Sequence, residues 1–218
     1  MNMDDVAMEL MQLAGGDPYE KVRLASEDHQ REHNCGLFHA GAPQMQLVSS
    51  LARLVKPTRI LDLGSGFGYS TLWLARALES VGTVIGVDDD PIHTARATEL
   101  ADEHGFGARV RFVTGRVQDV LESVEGPFDV IHDDSWFARR PDHFETMIRL
   151  LRPGGLLTMV NWFLIVDAIT GQPRNDWESF AGPTWAEDTF DYARHLAGRS
   201  DLSVTWVTTP PIAFAFKR

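Results

Sequence analysis

The sequence predicts an α/β domain built on a mostly parallel, seven-stranded sheet that ends in an antiparallel hairpin. Three observations lead there. Residues 59–78 read as strand, glycine turn and helix, the opening of a nucleotide-binding βαβ unit. From there to residue 198 short apolar runs alternate with helical patterns, which places helices on both faces of a parallel sheet. The last two apolar runs, 202–207 and 211–216, are joined only through Thr208-Thr209-Pro210, too short a connection for a parallel pair.

The elements follow in order. Residues 4–14 suit a short amphipathic helix, stopped by Gly15-Gly16. Residues 17–40 suit a helix with Glu20, Lys21 and Arg23 outward, then an irregular loop. Leu47, Val48, Leu51, Leu54 and Val55 form a helical stripe that Pro57 ends. Residues 1–43 thus read as a helical cover ahead of the sheet. Strand 59–63 leads to helix 69–79, and strand 83–88 to helix 92–104, ended by Gly105. Strand 109–113 precedes a short helix over 117–123. Strand 128–132 precedes helix 141–151, and strand 155–160 follows. Helix 186–198 comes after a loop over 162–185. That loop carries Trp162, Phe163, Trp177, Phe180 and Trp185 among glycines and prolines, a composition that suits a lid over an apolar or aromatic substrate, a packed surface loop or a dimer contact.

Composition narrows the function. At 218 residues and 44% apolar content, one domain with a sizeable core is expected. No apolar run reaches 18 residues, so no membrane span is expected. The acidic start and the single cysteine, Cys35, suit a reducing cytoplasm. A net charge of −11 argues against nucleic acid, whose phosphates need a cationic surface. It also favours a free small molecule over a CoA ester as substrate.

The glycines lie at Gly64, Gly66 and Gly68. The third glycine of a dinucleotide fingerprint would fall at Tyr69, which with the terminal hairpin disfavours a nicotinamide dehydrogenase. Asp88 ends the second strand, 20 residues after Gly68, where a carboxylate can accept from both ribose hydroxyls of a nucleoside. Asp90 precedes Pro91 and suits a helix cap. That leaves Asp88 and Asp89 for a ligand. Ser70 opens the helix after the glycines, either as a cap or as a holder of a ligand carboxylate. A ligand is expected outside the C-terminal ends of the strands, where the glycine loop and the segments after 88, 113, 132 and 160 meet.

These residues resemble the class I S-adenosylmethionine-dependent methyltransferases, and more narrowly the small-molecule O-methyltransferases of the catechol and caffeoyl-CoA type. The likeness runs from about Gly41 onward. It rests on Gly-Ala-Pro-Gln-Met-Gln-Leu-Val, on Leu-Asp-Leu-Gly-Ser-Gly-Phe-Gly-Tyr-Ser-Thr, on Leu-Leu-Arg-Pro-Gly-Gly-Leu-Leu at 150–157 and on the last strand. It implies a Rossmann-like fold and S-adenosylmethionine as cofactor. The cofactor-binding set would be Asp62, Gly64, Ser65, Gly66, Tyr69, Ser70, Asp88, Asp89, Val117, Gln118, Asp134 and Trp136.

The resemblance also exposes departures. Asp134 falls on the family's first metal-binding aspartate and Trp136 beside the adenine. Phe137 stands where the catechol enzyme has a catalytic lysine. The family's second metal aspartate is Val160 here, followed by the retained Asn161. By alternation Asp133 should face the other way. Magnesium prefers carboxylates, so no divalent metal is expected; Asp134 and Asn161 would hold one if it bound. With the lysine gone, the candidate bases are Asp134, His132 and His39, with His143 also in view. The expected function is methyl transfer to a hydroxyl, or secondarily an amine, of a small aromatic or apolar metabolite. The alternatives are other chemistry on the same cofactor, or non-catalytic binding.

Overall fold

The computed structural model describes residues 3–35, 37–135, 141–160, 162–173 and 175–218. Seven strands form one sheet: β1 (Arg59–Leu63), β2 (Thr83–Asp88), β3 (Val110–Thr114), β4 (Phe128–Asp133), β5 (Leu151–Met159), β6 (Leu202–Thr208) and β7 (Pro211–Lys217). Their order is β3-β2-β1-β4-β5-β7-β6. The first five are parallel, while β7 runs antiparallel to both β5 and β6. The chain reverses its direction of winding at β1 and β4, so their C-terminal ends open a crevice.

Alternation along each strand divides the core. Ile60, Val84, Val130, Leu156 and Ile212 face one side. There they meet α1 (Met3–Leu13), α2 (Glu20–His33), α3 (Ala42–Leu54), α4 (Tyr69–Ala75) and α5 (Pro91–Glu103). Leu61, Leu63, Val87, Ile131 and Leu157 face the other. That side is covered by α6 (Val117–Ser123), α7 (Pro141–Leu150), α8 (Phe163–Thr170) and α10 (Trp185–Ala197). A further helix, α9 (Trp177–Ala181), lies between α8 and α10. Among the described residues no helix is long and apolar enough to cross a membrane.

Several expectations shift. Helix α4 ends at Ala75, not 79, because Ala77 N and Leu78 N bond three residues back and Glu79 N bonds to Pro57 O. The tightened turn swings the chain into β2. Strand β5 starts at Leu151, not 155, with a register shift opposite Phe128 and Val130 that takes up Pro153-Gly154-Gly155. Arg23 does not point outward: its side chain is 16% exposed and pairs with Asp17, Glu20 and Glu27.

The expected loop over 162–185 is mostly helical. Its apolar stretch from Phe163 to Ile169 wins over the glycine and proline signals that flank it. Trp162 is buried and stacks on Trp206 at 4.9 Å. Trp177 is buried, and its Nε1 donates to Asp167 Oδ2 at 2.7 Å. Trp177→Phe removes that donor from a carboxylate only 2% exposed. It should cost roughly 1–3 kcal/mol in urea unfolding; an unchanged midpoint would mean the indole is not part of the packed structure.

Candidate active site

The glycine loop starts where β1 ends. Gly64 N and Ser65 N both donate to Val87 O at 2.9 Å, tying the loop to β2. Gly64, Gly66 and Gly68 hold φ values of +85°, +50° and +86°, the left-handed region that favours glycine. Gly64 has a second reason: a Cβ there would lie 2.8 Å from the Asp134 carbonyl oxygen. At Gly66 a Cβ would run into Leu37 Cδ1. The backbone here is therefore bare against two neighbouring segments, one after β4 and one from the N-terminal cover.

Asp88 stands at the tip of β2 with its carboxylate turned to the loop. Oδ2 accepts from Gly66 N at 2.9 Å. Oδ1 accepts from Asp90 N at 3.0 Å and pairs with His93 Nδ1 at 2.9 Å. Its side chain is 13% exposed. Asp89 is exposed. Asp90 caps α5, accepting from Ile92 N at 2.7 Å, as the Asp-Pro pair predicts.

Beneath the loop runs a buried polar row. Asp62, His132 and Thr158 are register partners across β1, β4 and β5, and none has any exposed surface. Ser70 Oγ and Thr71 Oγ1 donate to Asp62 Oδ2 at 2.8 and 2.5 Å. Among the described residues Asp62 Oδ1 has no partner, and neither has the buried Ser65 Oγ. Burial pushes the Asp62 carboxyl up to about 6, although Thr71 and Ser70 pull the other way. His132 Nδ1 pairs with Thr158 Oγ1 at 2.8 Å, and its Nε2 has no partner among the described residues. Burial holds this ring down to about 3.

These contacts bear on four of the expected residues, of which His39, Tyr69 and Ser70 line the cavity beside the glycine loop. His132 is sealed beneath the loop and stays neutral, so it suits the packed row rather than a base that meets a substrate. His39 has Nδ1 against Ala40 O at 2.9 Å and Nε2 against Glu27 Oε1 at 3.0 Å. Both ring nitrogens are thus engaged with oxygens of the N-terminal cover. Tyr69 is buried and sends its hydroxyl to Asp17 Oδ2 at 2.9 Å. It ties α4 to the N-terminal cover, and burial pushes its phenol up. Ser70 is likewise turned to Asp62.

The remaining tips complete the crevice. Val117 is buried at the start of α6, with Gln118 half-buried beside it. Asp133 is buried and turns back on the chain, accepting from Ser135 N and Oγ at 3.0 and 2.8 Å. Asp134 N donates to Leu63 O at 2.9 Å. Asp134 lines a small cavity with Ser65, Leu37, Phe38 and His39. Val160 is buried in the apolar core, and its carbonyl accepts from Gln44 Nε2. Trp136, Phe137 and Asn161 lie outside the described residues.

Sequence reasoning did not single out Thr71, Thr158, His93 or Leu37. Thr71 sits one turn into α4 at the spacing that reaches Asp62. The other three arrive by tertiary packing, which no local pattern signals.

A mostly parallel sheet with this strand order, a positive-φ glycine loop after β1 and an acid at the tip of β2 define a nucleotide-cofactor site of the methyltransferase type. The chain belongs to the methyltransferase domain family, which matches residues 54–192. A catechol O-methyltransferase from Niastella koreensis is 38% identical over 142 residues, which are 63% of this chain and 64% of that protein. The match thus spans a little under two-thirds of that relative. The O-methyltransferase TomG from Streptomyces achromogenes, involved in tomaymycin synthesis and solved with S-adenosylmethionine, superposes with a TM-score of 0.72. It is 26% identical, with 90% of this chain and 89% of that one covered. An O-methyltransferase from Bacillus cereus, in complex with S-adenosylhomocysteine, shares the fold at a TM-score of 0.76 and 20% identity, covering 99% and 100%.

Proposed function

We propose that the chain transfers a methyl group from S-adenosylmethionine to a hydroxyl, or secondarily an amine, of a small aromatic or apolar metabolite. The observation that carries the reading is the glycine loop at the end of β1, with positive φ at Gly64 and Gly66 and the Asp88 carboxylate turned to Gly66 N; at its foot lies the buried Asp62 Oδ1, for which the described residues supply no donor. A buried carboxylate oxygen left unpaired is costly, and a ligand ammonium would satisfy it. The unpaired Ser65 Oγ offers a second contact. Gly64 and Gly66 let a ligand lie on bare backbone, and Asp88 stands where a ribose would come. The residues present therefore fit the cofactor.

S-adenosylmethionine supplies a methyl group on a sulfonium, ready for in-line displacement. The protein's part is to hold the acceptor oxygen in line and take its proton. Asp134 lines the cavity beside the glycine loop and is the residue assigned to that proton. TomG's cofactor and the Niastella relative's name support the reaction class. Incubation with methyl-labelled cofactor and a panel of phenols, catechols and amines tests it. Label on an acceptor oxygen or nitrogen, with S-adenosylhomocysteine released, is expected. Methylthioadenosine, or no turnover with any acceptor, would contradict it.

Asp62 makes the cofactor affinity pH-dependent. Its carboxyl, raised to about 6, is charged at neutral pH and draws an ammonium. S-adenosylhomocysteine affinity should fall as pH drops from about 7 to about 5. Asp62→Asn should bind weakly throughout, with the pH dependence flattened. A parallel slope in both proteins would remove Asp62 from the site. In the free chain the sign reverses. The folded carboxyl keeps its proton up to about 6 while the unfolded one loses it near 3.8, so Asp62 adds stability as pH falls through that window. His132 opposes this, because the unfolded ring takes a proton near 6.5 and the buried one does not.

The reaction is read as independent of magnesium. Val160, where the family has a carboxylate, is packed among apolar side chains, and Asp134 alone is a poor match for a cation that seeks several hard oxygens. Chelator-treated protein should turn over equally with and without added Mg²⁺, Mn²⁺ or Ca²⁺. Activity restored by Mg²⁺ would mean that another oxygen completes the site.

A further inference from the structure

Where the N-terminal cover meets β2 and α5, three side chains from separate segments converge. His29 lies on α2, Cys35 on the segment after it and His93 on α5. One ligand atom from each falls within 4.8 Å of the other two. We propose that they bind a thiophilic divalent cation, zinc foremost, which clamps the N-terminal cover onto the cofactor-binding half.

His93 is the anchor. It is 6% exposed. Its Nδ1 sits 2.9 Å from Asp88 Oδ1, so Nδ1 carries the proton and Nε2 the lone pair. That Nε2 is buried and has no hydrogen-bond partner among the described residues; Asp90 Oδ2 is 3.7 Å away. A carboxylate behind a histidine whose far nitrogen is free is the arrangement that orients metal-binding imidazoles.

The donor set selects the metal. Two imidazoles and a thiolate suit zinc and its neighbours rather than magnesium or calcium. Bonds of about 2.0 Å to nitrogen and 2.3 Å to sulfur place tetrahedral donors about 3.5 Å apart. A cluster spanning 4.8 Å closes with movements of about an ångström, within reach of rotamer adjustment because His29 and Cys35 are only half-buried. The His29 ring stands 5.3 Å from that of His93 and 4.3 Å from that of His33. The fourth position is left to water, with His33 beside His29 and Asp90 beside His93. The Asp88 and Asp90 carboxylates beside His93 favour a bound cation.

The consequence is mechanical. Cys35 is two residues from Leu37, which packs on Gly66. A metal held there would fix the segment that closes over the glycine loop. It is a site apart from the acceptor end of the crevice, and its existence does not depend on the methyl-transfer reading.

Cobalt titration of the reduced, metal-stripped full chain tests it. One equivalent should bind with a thiolate-to-cobalt charge-transfer absorption, displaced by zinc. Cys35 is the chain's one cysteine, so Cys35→Ser should abolish that absorption. Zinc affinity should fall about 100-fold or more in Cys35→Ser and in His29→Gln, since even outer partners of such sites are worth 10–100-fold. Cobalt binding without the thiolate band, no binding at all, or equal zinc affinity in wild type and Cys35→Ser would overturn the proposal. Loss of turnover in chelator that zinc but not magnesium restores would support the clamp and leave the magnesium-free reading intact.

Discussion

Asp88→Ala is expected to weaken S-adenosylhomocysteine binding about tenfold to 150-fold. On the proposed reading the carboxylate accepts from the ribose, and a hydrogen bond to a charged group is worth roughly 1.5–3 kcal/mol. The alanine does further harm. It strips the acceptor from Gly66 N, Asp90 N and His93 Nδ1 at once, so the loop loses the contact that sets its shape. Asp88→Asn keeps one acceptor oxygen and should fall between. Calorimetry with thermal melts separates the two effects: a folded Asp88→Ala protein with unchanged affinity would take Asp88 out of the site.

Gly64→Ala should be the most damaging single substitution to the site's architecture. Its φ of +85° costs an L-residue about 1–2 kcal/mol. The added Cβ meets the Asp134 carbonyl at 2.8 Å, and that backbone is pinned by Asp134 N to Leu63 O. The neighbour that must yield is therefore not a flexible side chain. Gly105→Ala is the control, since its φ is +76° and a Cβ there meets nothing within 4 Å. Gly64→Ala should lose several degrees more of melting temperature than Gly105→Ala, at roughly 2–4 °C per kcal/mol for a chain of this size. It should also lose detectable cofactor binding. Equal losses would mean that the close approach is not real.

Much of this architecture was legible before any coordinates. Strand positions followed from apolar runs bounded by glycine, proline and aspartate, and the antiparallel hairpin followed from the length of one connection. The sheet has the seven strands and mixed direction expected. The positive-φ glycine loop and the acid that ends β2 were legible because both meet local backbone needs that leave a linear trace.

What failed to show was set by tertiary packing. His132 and His39 looked like bases because imidazole titrates near neutrality. One is sealed by three strands, and the other is held by Glu27, which arrives from a helix twelve residues earlier. The Tyr69 and Ser70 hydroxyls turn to Asp17 and Asp62, partners that local spacing does not name. The aromatics over 162–185 suggested a lid. Two of them, Trp162 and Trp177, are buried, because an apolar helix and an indole-to-carboxylate bond outweighed the glycines and prolines. The convergence of His29, Cys35 and His93 joins segments that sequence spacing keeps far apart.

We propose that the glycine loop, Asp62 and Asp88 form one cofactor site. Calorimetric titration of the wild-type chain with S-adenosylhomocysteine at neutral pH tests this. One equivalent should bind, with the affinity falling toward about pH 5 as Asp62 takes its proton. A folded chain that gives no saturable binding would contradict the account.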